Sequence, residues 1–197
     1  VFEKIIKKSN LKIINCKINE INGGSIEIII SKNNSKIKRK IKFINKIKRD
    51  EKKIDMNSYK NFEKRINASK LKLKTFVRKN YPIAGYGAST KGNIVLNFNK
   101  LSSNHVSYIC DANKKKYGKF TPGSNIKIIS KQKMRELNPK FLLVLIWSFR
   151  SEIIKQEFNY LKNGGNLVFH LPKFHIINKK NYRKYLNKSF KELSYNY

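Results

Sequence analysis

A short apolar run that breaks into glycines constrains this chain more than any other feature. Ile83-Ala-Gly-Tyr-Gly-Ala-Ser-Thr-Lys-Gly-Asn93 reads as a strand, a glycine loop and the start of a helix. Gly85 and Gly87 permit a tight turn and a close backbone approach, and a helix N-terminus adds partial positive charge. Phosphate is the natural ligand of such a loop. Lys91 contributes a point charge, and Ser89 and Thr90 contribute hydroxyl donors. Gly92 comes one residue late for the third glycine of the dinucleotide fingerprint. Asp111 stands about twenty residues on, where dinucleotide-binding folds place a ribose-binding acid. A loop that only turns strand into helix is the alternative.

Strand and helix signals alternate after Pro82. Strands are expected at Ile83 to Tyr86, His105 to Cys110, Phe141 to Ile146 and Asn166 to His170, with a short one near Ile126 to Ile129. Helices are expected at Lys91 to Lys100, Lys131 to Leu137 and Phe149 to Lys162. Ser130 and Ser148 stand where N-caps are wanted, and Asn163-Gly164-Gly165 supplies a stop. The fold class is therefore α/β, a Rossmann-like, mostly parallel sheet with helices on both faces.

Upstream, Phe2 to Lys8 reads as an amphipathic helix with nothing leading into it, so the sequence looks like a fragment. Leu11 to Glu20 and Ser25 to Ser31 are isoleucine-rich strands joined by Ile21-Asn22-Gly23-Gly24, whose turn positions need positive φ. Lys32 to Lys53 reads as a linker or an exposed helix. From Asn57 to Lys79 the stripe Tyr59, Phe62, Ile66, Leu73, Phe76 and Val77 predicts a long helix that packs along one face. The expected organisation is residues 1–56, a connecting helix at 57–81, the Rossmann-like domain at 82–177, and a basic tail at 178–197, helical or disordered.

The chain has 45 Lys+Arg against 12 Asp+Glu, a formal net charge of +33. The basic residues are mostly lysine, spread along the chain among isoleucine and asparagine, all with AT-rich codons. Codon bias accounts for that pattern better than a nucleic-acid site, which concentrates arginine and aromatics on one element. Neither a nucleic acid nor a membrane is expected as partner, although the charge still steers anionic ligands. Cys16 and Cys110 stand far apart with no metal-ligand spacing, which argues against a disulfide framework or a zinc site and suits a reducing cytoplasm. No apolar run has the length of a bilayer span.

Beyond the loop, the order and spacing of several segments carry a resemblance. They are Gly85-Tyr-Gly-Ala-Ser-Thr-Lys-Gly-Asn93, Tyr108-Ile-Cys-Asp-Ala-Asn113, Tyr117-Gly-Lys-Phe-Thr-Pro-Gly123, Ile126-Lys-Ile128, Leu145-Ile-Trp-Ser-Phe149 and Gly164-Gly165. Together they resemble the C-terminal domain of sugar-nucleotide C-methyltransferases. Asn22-Gly-Gly-Ser25 is similar to the family's His-Gly-Gly-Ser segment, in the last hairpin of the methyltransferase sheet. The departures are Asn22 for histidine, Ser89-Thr90 where Pro-Ala is common, and Ser148 where asparagine is common.

The resemblance implies a parent with a zinc-binding domain and an S-adenosylmethionine-binding domain, both upstream of Val1. It implies a nucleoside-diphosphate keto-deoxysugar as substrate, methylated on carbon. The catalytic Tyr-His-Glu-His type segment would also lie upstream, so no residue here is assigned catalysis. Substrate contacts are expected from Gly85, Tyr86, Gly87, Ser89, Lys91, Gly92, Asn93 and Asp111, with Asn22 and Ser25 in the hairpin. The chain would then support substrate binding without turning over alone. A non-catalytic sugar-nucleotide-binding module and a basic nucleic-acid-binding protein are the alternatives.

Several residues keep two readings. Lys91 and Ser89 either touch a diphosphate or cap the helix, and Asp111 either accepts from a sugar hydroxyl or orders the Asn113 turn. Tyr117 to Gly123 is either a loop closing over the strand ends or a turn set by Pro122-Gly123. His170 and His175 either face the site or are solvated or hydrogen-bonded. Trp147 belongs to the core, to a cleft wall, or to a base-stacking platform.

Overall fold

The central strand runs at 83–86, 142–144 and 167–169 are buried on both sides, the pattern of parallel strands covered by helices above and below. The computed structural model describes residues 1–189 and Glu192. The rest of the expected basic tail, residues 190, 191 and 193–197, lies outside the described residues. The chain divides into two compact units, Val1–Lys64 and Arg65–Tyr197.

In the first unit, α1 (Phe2–Lys8) precedes an antiparallel hairpin of β1 (Leu11–Asn19) and β2 (Ser25–Lys32). The turn takes the left-handed backbone its sequence asked for, with φ of 56° at Asn22, 86° at Gly23 and 133° at Gly24. At a bulge in β1, Arg39 Nε donates to the Ile13 carbonyl at 2.9 Å and the Lys40 N–H to the Ile14 carbonyl at 2.7 Å. Helix α2 (Ile41–Lys52) then buries Ile44 against Ile13 and Cys16. Of the linker and the exposed helix expected there, the helix forms: most of its residues are exposed, while Ile44 and Ile47, three residues apart, pack against the hairpin.

Helix α3 (Met56–Asn80) follows, and from Arg65 it belongs to the second unit. Leu73 and Val77 are buried, and the Phe76 ring sits 5.1 Å from that of Phe141. Tyr59 and Phe62 are 61 % and 55 % exposed, so the stripe does not pack along its whole length. Periodicity marks an apolar face without saying how far a covering surface extends.

The second unit continues with β3 (Ile83–Tyr86), α4 (Thr90–Phe98), β4 (Val106–Asp111), β5 (Ile128–Ser130), α5 (Lys131–Leu137) and β6 (Phe141–Val144). It ends with α6 (Arg150–Gln156), α7 (Phe158–Lys162), β7 (Asn166–Phe169), β8 (His175–Ile177) and α8 (Tyr182–Leu186). The sheet order is β5-β4-β3-β6-β7-β8, with five parallel strands and β8 antiparallel to β7. Side chains alternate between the two layers. Leu143, Leu145 and Val168 join Leu73, Val77 and Leu96 on one face, while Leu142, Val144 and Phe169 join Met134, Ile153 and Leu161 on the other.

Two local expectations are corrected, and one strand is added. The helix expected from Phe149 to Lys162 is two helices, parted at Glu157, which leaves helical geometry at φ −105° and ψ 26° and turns its carboxylate inward. Ser148 does not cap α6: it lies inside the 3-10 turn Trp147–Phe149, and Phe149 takes the cap position without a side-chain bond. Strand β8 was not foreseen, because three residues are too short to show a period.

Leu143, fully buried on a central strand, is the natural probe of this sandwich. Leu143→Ala should lower the stability of the second unit by about 2–5 kcal/mol in urea unfolding monitored by circular dichroism.

Candidate functional site

Strands β3 and β6 are parallel neighbours whose chains leave in opposite directions, β3 through α4 to β4 and β6 through α6 to β7. Open α/β sheets place ligands at such a reversal, beyond the carboxyl ends of the strands. The glycine loop, residues 87–89, starts there.

Its glycines are fixed by packing. A Cβ on Gly85 would lie 2.6 Å from Ile109 Cγ1, and one on Gly92 would lie 2.9 Å from Leu145 Cβ. Gly92 therefore does the work of a third glycine, letting α4 approach the sheet. Gly87 has φ 92°, and a Cβ there would meet Ile146 at 2.8 Å. Ile146, from the segment after β6, thus covers the loop, a contact no local pattern announced.

The conformation of Ala88 is held from both sides. Its N–H donates to Asp111 Oδ2 at 2.9 Å and its carbonyl accepts from Lys116 Nζ at 2.8 Å. Lys116 and Asp111 also pair at 3.2 Å, and Asp111 Oδ1 accepts from the Asn113 N–H at 2.8 Å. Of the two readings of Asp111, the ordering of the Asn113 turn is realised, together with a clamp on the glycine loop. Sequence reasoning missed Lys116, whose only signal was its place five residues after Asp111.

Ser89 caps α4, accepting from the Gly92 N–H at 3.0 Å, while Lys91 is exposed on the first turn of the helix. Asn93 Oδ1 is buried and accepts no hydrogen bond. Tyr86 points into the core, where its hydroxyl donates to Glu157 Oε1 at 2.8 Å; burial, followed by the Glu157 charge, pushes its phenol far up. Arg135 holds the same carboxylate through two bonds, at 2.8 and 3.0 Å. The Tyr86 side chain is a packing residue, not an open ligand contact. The structure thus gathers Gly85, Gly87, Ser89, Lys91, Gly92, Asn93 and Asp111 around one strand-to-helix junction. Asn22 and Ser25 belong to the first unit, where Ser25 Oγ donates to the Ile21 carbonyl at 2.9 Å.

The remaining candidates separate. Residues 117–123 form a turn docked on α4: Asn97 Nδ2 donates to the Pro122 carbonyl at 3.0 Å, and a Cβ on Gly123 would meet Asn97 Oδ1 at 2.2 Å. Trp147 is half-buried against the helix α6 layer. His175 stacks between Phe169 and Tyr185, with ring centroids 5.1 and 4.9 Å away. His170, next after β7, is 3 % exposed, with its imidazole against the Val144 backbone. A cleft of about 480 Å³ opens where β3, β4 and β6 begin, at Ile83, Ser107 and Phe141, the edge opposite the glycine loop.

Neither group implied by the resemblance fits these residues. Asp111, the one acid at the loop, already accepts from Ala88, Asn113 and Lys116, and no second carboxylate stands beside it to take the ribose of S-adenosylmethionine among the contacts described. Among the described residues no three His, Cys, Asp or Glu side chains gather as a metal site. The Cys16 and Cys110 thiols are unpaired and buried, and burial pushes Cys110 up to about 12. No helix among the described residues is long and apolar enough to cross a membrane.

Comparison with known proteins meets this geometry at the same residues. The sequence profile described as the C-methyltransferase C-terminal domain matches residues 20–172. The C-methyltransferase NovU of Streptomyces niveus is 36 % identical over 95 residues, which cover 48 % of this chain and 23 % of that protein.

Two outcomes follow from the clamp and the histidines. Asp111→Ala leaves two backbone N–H groups without their acceptor and should cost about 1–3 kcal/mol in urea unfolding. Burial lowers both His170 and His175 from 6.5 to about 4. The folded state then binds fewer protons than the unfolded one. Stability should be full above pH 6.5 and fall as pH drops toward 4, a trend that unfolding at stepped pH measures and His170→Phe should flatten.

Proposed function

The chain belongs to the family of C-methyltransferase C-terminal domains, and from that membership we propose that it is the substrate-binding C-terminal part of an S-adenosylmethionine-dependent enzyme. The substrate is a nucleoside-diphosphate keto-deoxysugar, and methylation is on carbon. The observation that carries the reading is the clamped glycine loop at the β3/β6 reversal, with Lys91 on the first turn of the helix it opens. A diphosphate meets there the N-terminus of α4 and a lysine. The diffuse positive charge of the chain raises the local concentration of such an anion.

The sugar-nucleotide class rests on the shared order of the glycine loop, the Tyr108–Asn113 strand end and the Leu145–Phe149 segment. S-adenosylmethionine, when bound, supplies an electrophilic methyl group, and removal of the proton next to the keto group makes the carbon nucleophile. In this reading the general base, the methyl-donor site and the zinc site belong to sequence upstream of Val1. The residues here hold and orient the substrate. Two buried free thiols suit a reducing cytoplasm as the place of action.

Isothermal titration of uridine and thymidine diphosphate into the chain should show binding that Lys91→Ala weakens by about tenfold, the loss of one charged contact. In the same preparation no methyl should pass from S-adenosylmethionine to a keto-deoxysugar nucleotide. Turnover by this chain alone, or no heat with either diphosphate, would overturn the proposal.

A further inference from the structure

Arg150, the first residue of α6, is 2 % exposed. A guanidinium cannot shed its charge, so burying one requires groups that take up its N–H bonds. The C-terminal segment 182–188 supplies them. Arg150 Nε donates to the Tyr185 carbonyl at 3.3 Å, and Nη2 donates to the Lys188 carbonyl. The next residue, Ser151, donates from its hydroxyl to the Leu186 carbonyl at 2.6 Å. Rings seat the same segment: Tyr185 stacks on His175 and Tyr182 meets Phe158 edge-on, with centroids 4.9 and 5.3 Å apart. Phe149, at the N-cap of α6, makes no side-chain cap bond, so the start of the helix relies on the bonds of Arg150 and Ser151.

That helix start is also the far end of the turn that covers the glycine loop. Leaving β6, the chain passes Leu145, whose N–H donates to the Tyr86 carbonyl at 3.0 Å, and then Ile146, which abuts Gly87. The Phe149 N–H closes the turn on the Ile146 carbonyl at 3.0 Å. The run 145–149 therefore rests on the glycine loop at one end and on Arg150 at the other. Groups that meet a ligand keep their geometry only when the residues behind them are locked by packing and hydrogen bonds. We infer that Arg150 is the positioning residue of the diphosphate site: it ties the 146–149 turn to the C-terminal segment and so holds Ile146 against Gly87, with the glycine loop in its ligand-binding form. This rests on the reading of the β3/β6 edge as a diphosphate site and adds to it the part that fixes its shape. Arg150 touches no ligand. Residues 182–188, which lie outside the 20–172 that match the family profile, become part of the scaffold of the site.

The test combines calorimetry with UDP and the fluorescence of Trp147, the one tryptophan of the chain, which lies inside the turn. UDP should shift the Trp147 emission of the full chain in step with saturation. Arg150→Met keeps the bulk and removes the guanidinium. At a temperature where it is folded it should bind UDP about tenfold more weakly and show a shifted Trp147 emission before any ligand is added. Lys91→Ala, which loses a ligand contact, should weaken UDP and leave the emission of the free protein as it was. Parent-like UDP affinity in folded Arg150→Met marks an arginine that only stabilises the fold; it overturns the inference and leaves the diphosphate site standing. Should that variant fail to fold, Ser151→Ala, which alters no charge, and the unaltered chain decide. Ser151→Ala should weaken UDP about threefold, the loss of one hydrogen bond from the segment. Equal affinity there, or UDP bound by the parent with Trp147 unmoved, overturns the inference. Absence of UDP binding by the parent overturns both the inference and the site reading beneath it.

Discussion

Parallel strands can be buried on both faces only if every residue along them is apolar or paired, and that condition organises the second unit. β3, β6 and β7 satisfy it with Ile83, Leu142, Leu143, Val144, Leu167 and Val168. Successive side chains feed two separate helical layers, so helices must cross from one face to the other along the chain. The change of direction between β3 and β6 follows from that winding, and the crevice at their carboxyl ends follows from the change of direction. Gly85 and Gly92 belong to the same demand. Each stands where a methyl group would collide with a layer residue, Ile109 in one case and Leu145 in the other.

Against that background the glycine loop is less a cofactor cradle than a held junction. Asp111 reaches back from the end of β4 to Ala88, and Lys116 closes the other side. Lys116 is over a third exposed at its side chain, so the ion pair adds little by itself. The buried N–H groups that Asp111 satisfies matter more, because leaving them unpaired costs their full desolvation. A carboxylate so committed holds the loop in one conformation.

Much of this was legible in the sequence where a residue type can do only one thing. Asn22-Gly23-Gly24 had to be a left-handed turn, Ser130 had to cap α5, and the run at 83–86 had to be a buried strand. What misled was pattern without context. The α3 periodicity promised burial at Tyr59 and Phe62, which are exposed, and Ser148 looked like a cap but fell inside a 3-10 turn. Tyr86 sat among ligand-binding glycines in the sequence, yet strand alternation sends its side chain into the α7 layer toward Glu157. The loop itself was readable because its glycines and helix start are local. Lys116 and Ile146 were not, because they reach it from other elements.

The sequence by itself determined the class of fold, the place of the glycine loop, and the family, since these rest on period, turn chemistry and the spacing of motifs along one chain. Only the tertiary structure decided which polar groups are spent and which are open. Asp111 is held in the clamp, Ser89 in the cap and Tyr86 on Glu157, while Asn93 Oδ1 is left unpaired. Hydrogen-bond satisfaction depends on atoms brought together from distant elements, and no spacing along the chain encodes it.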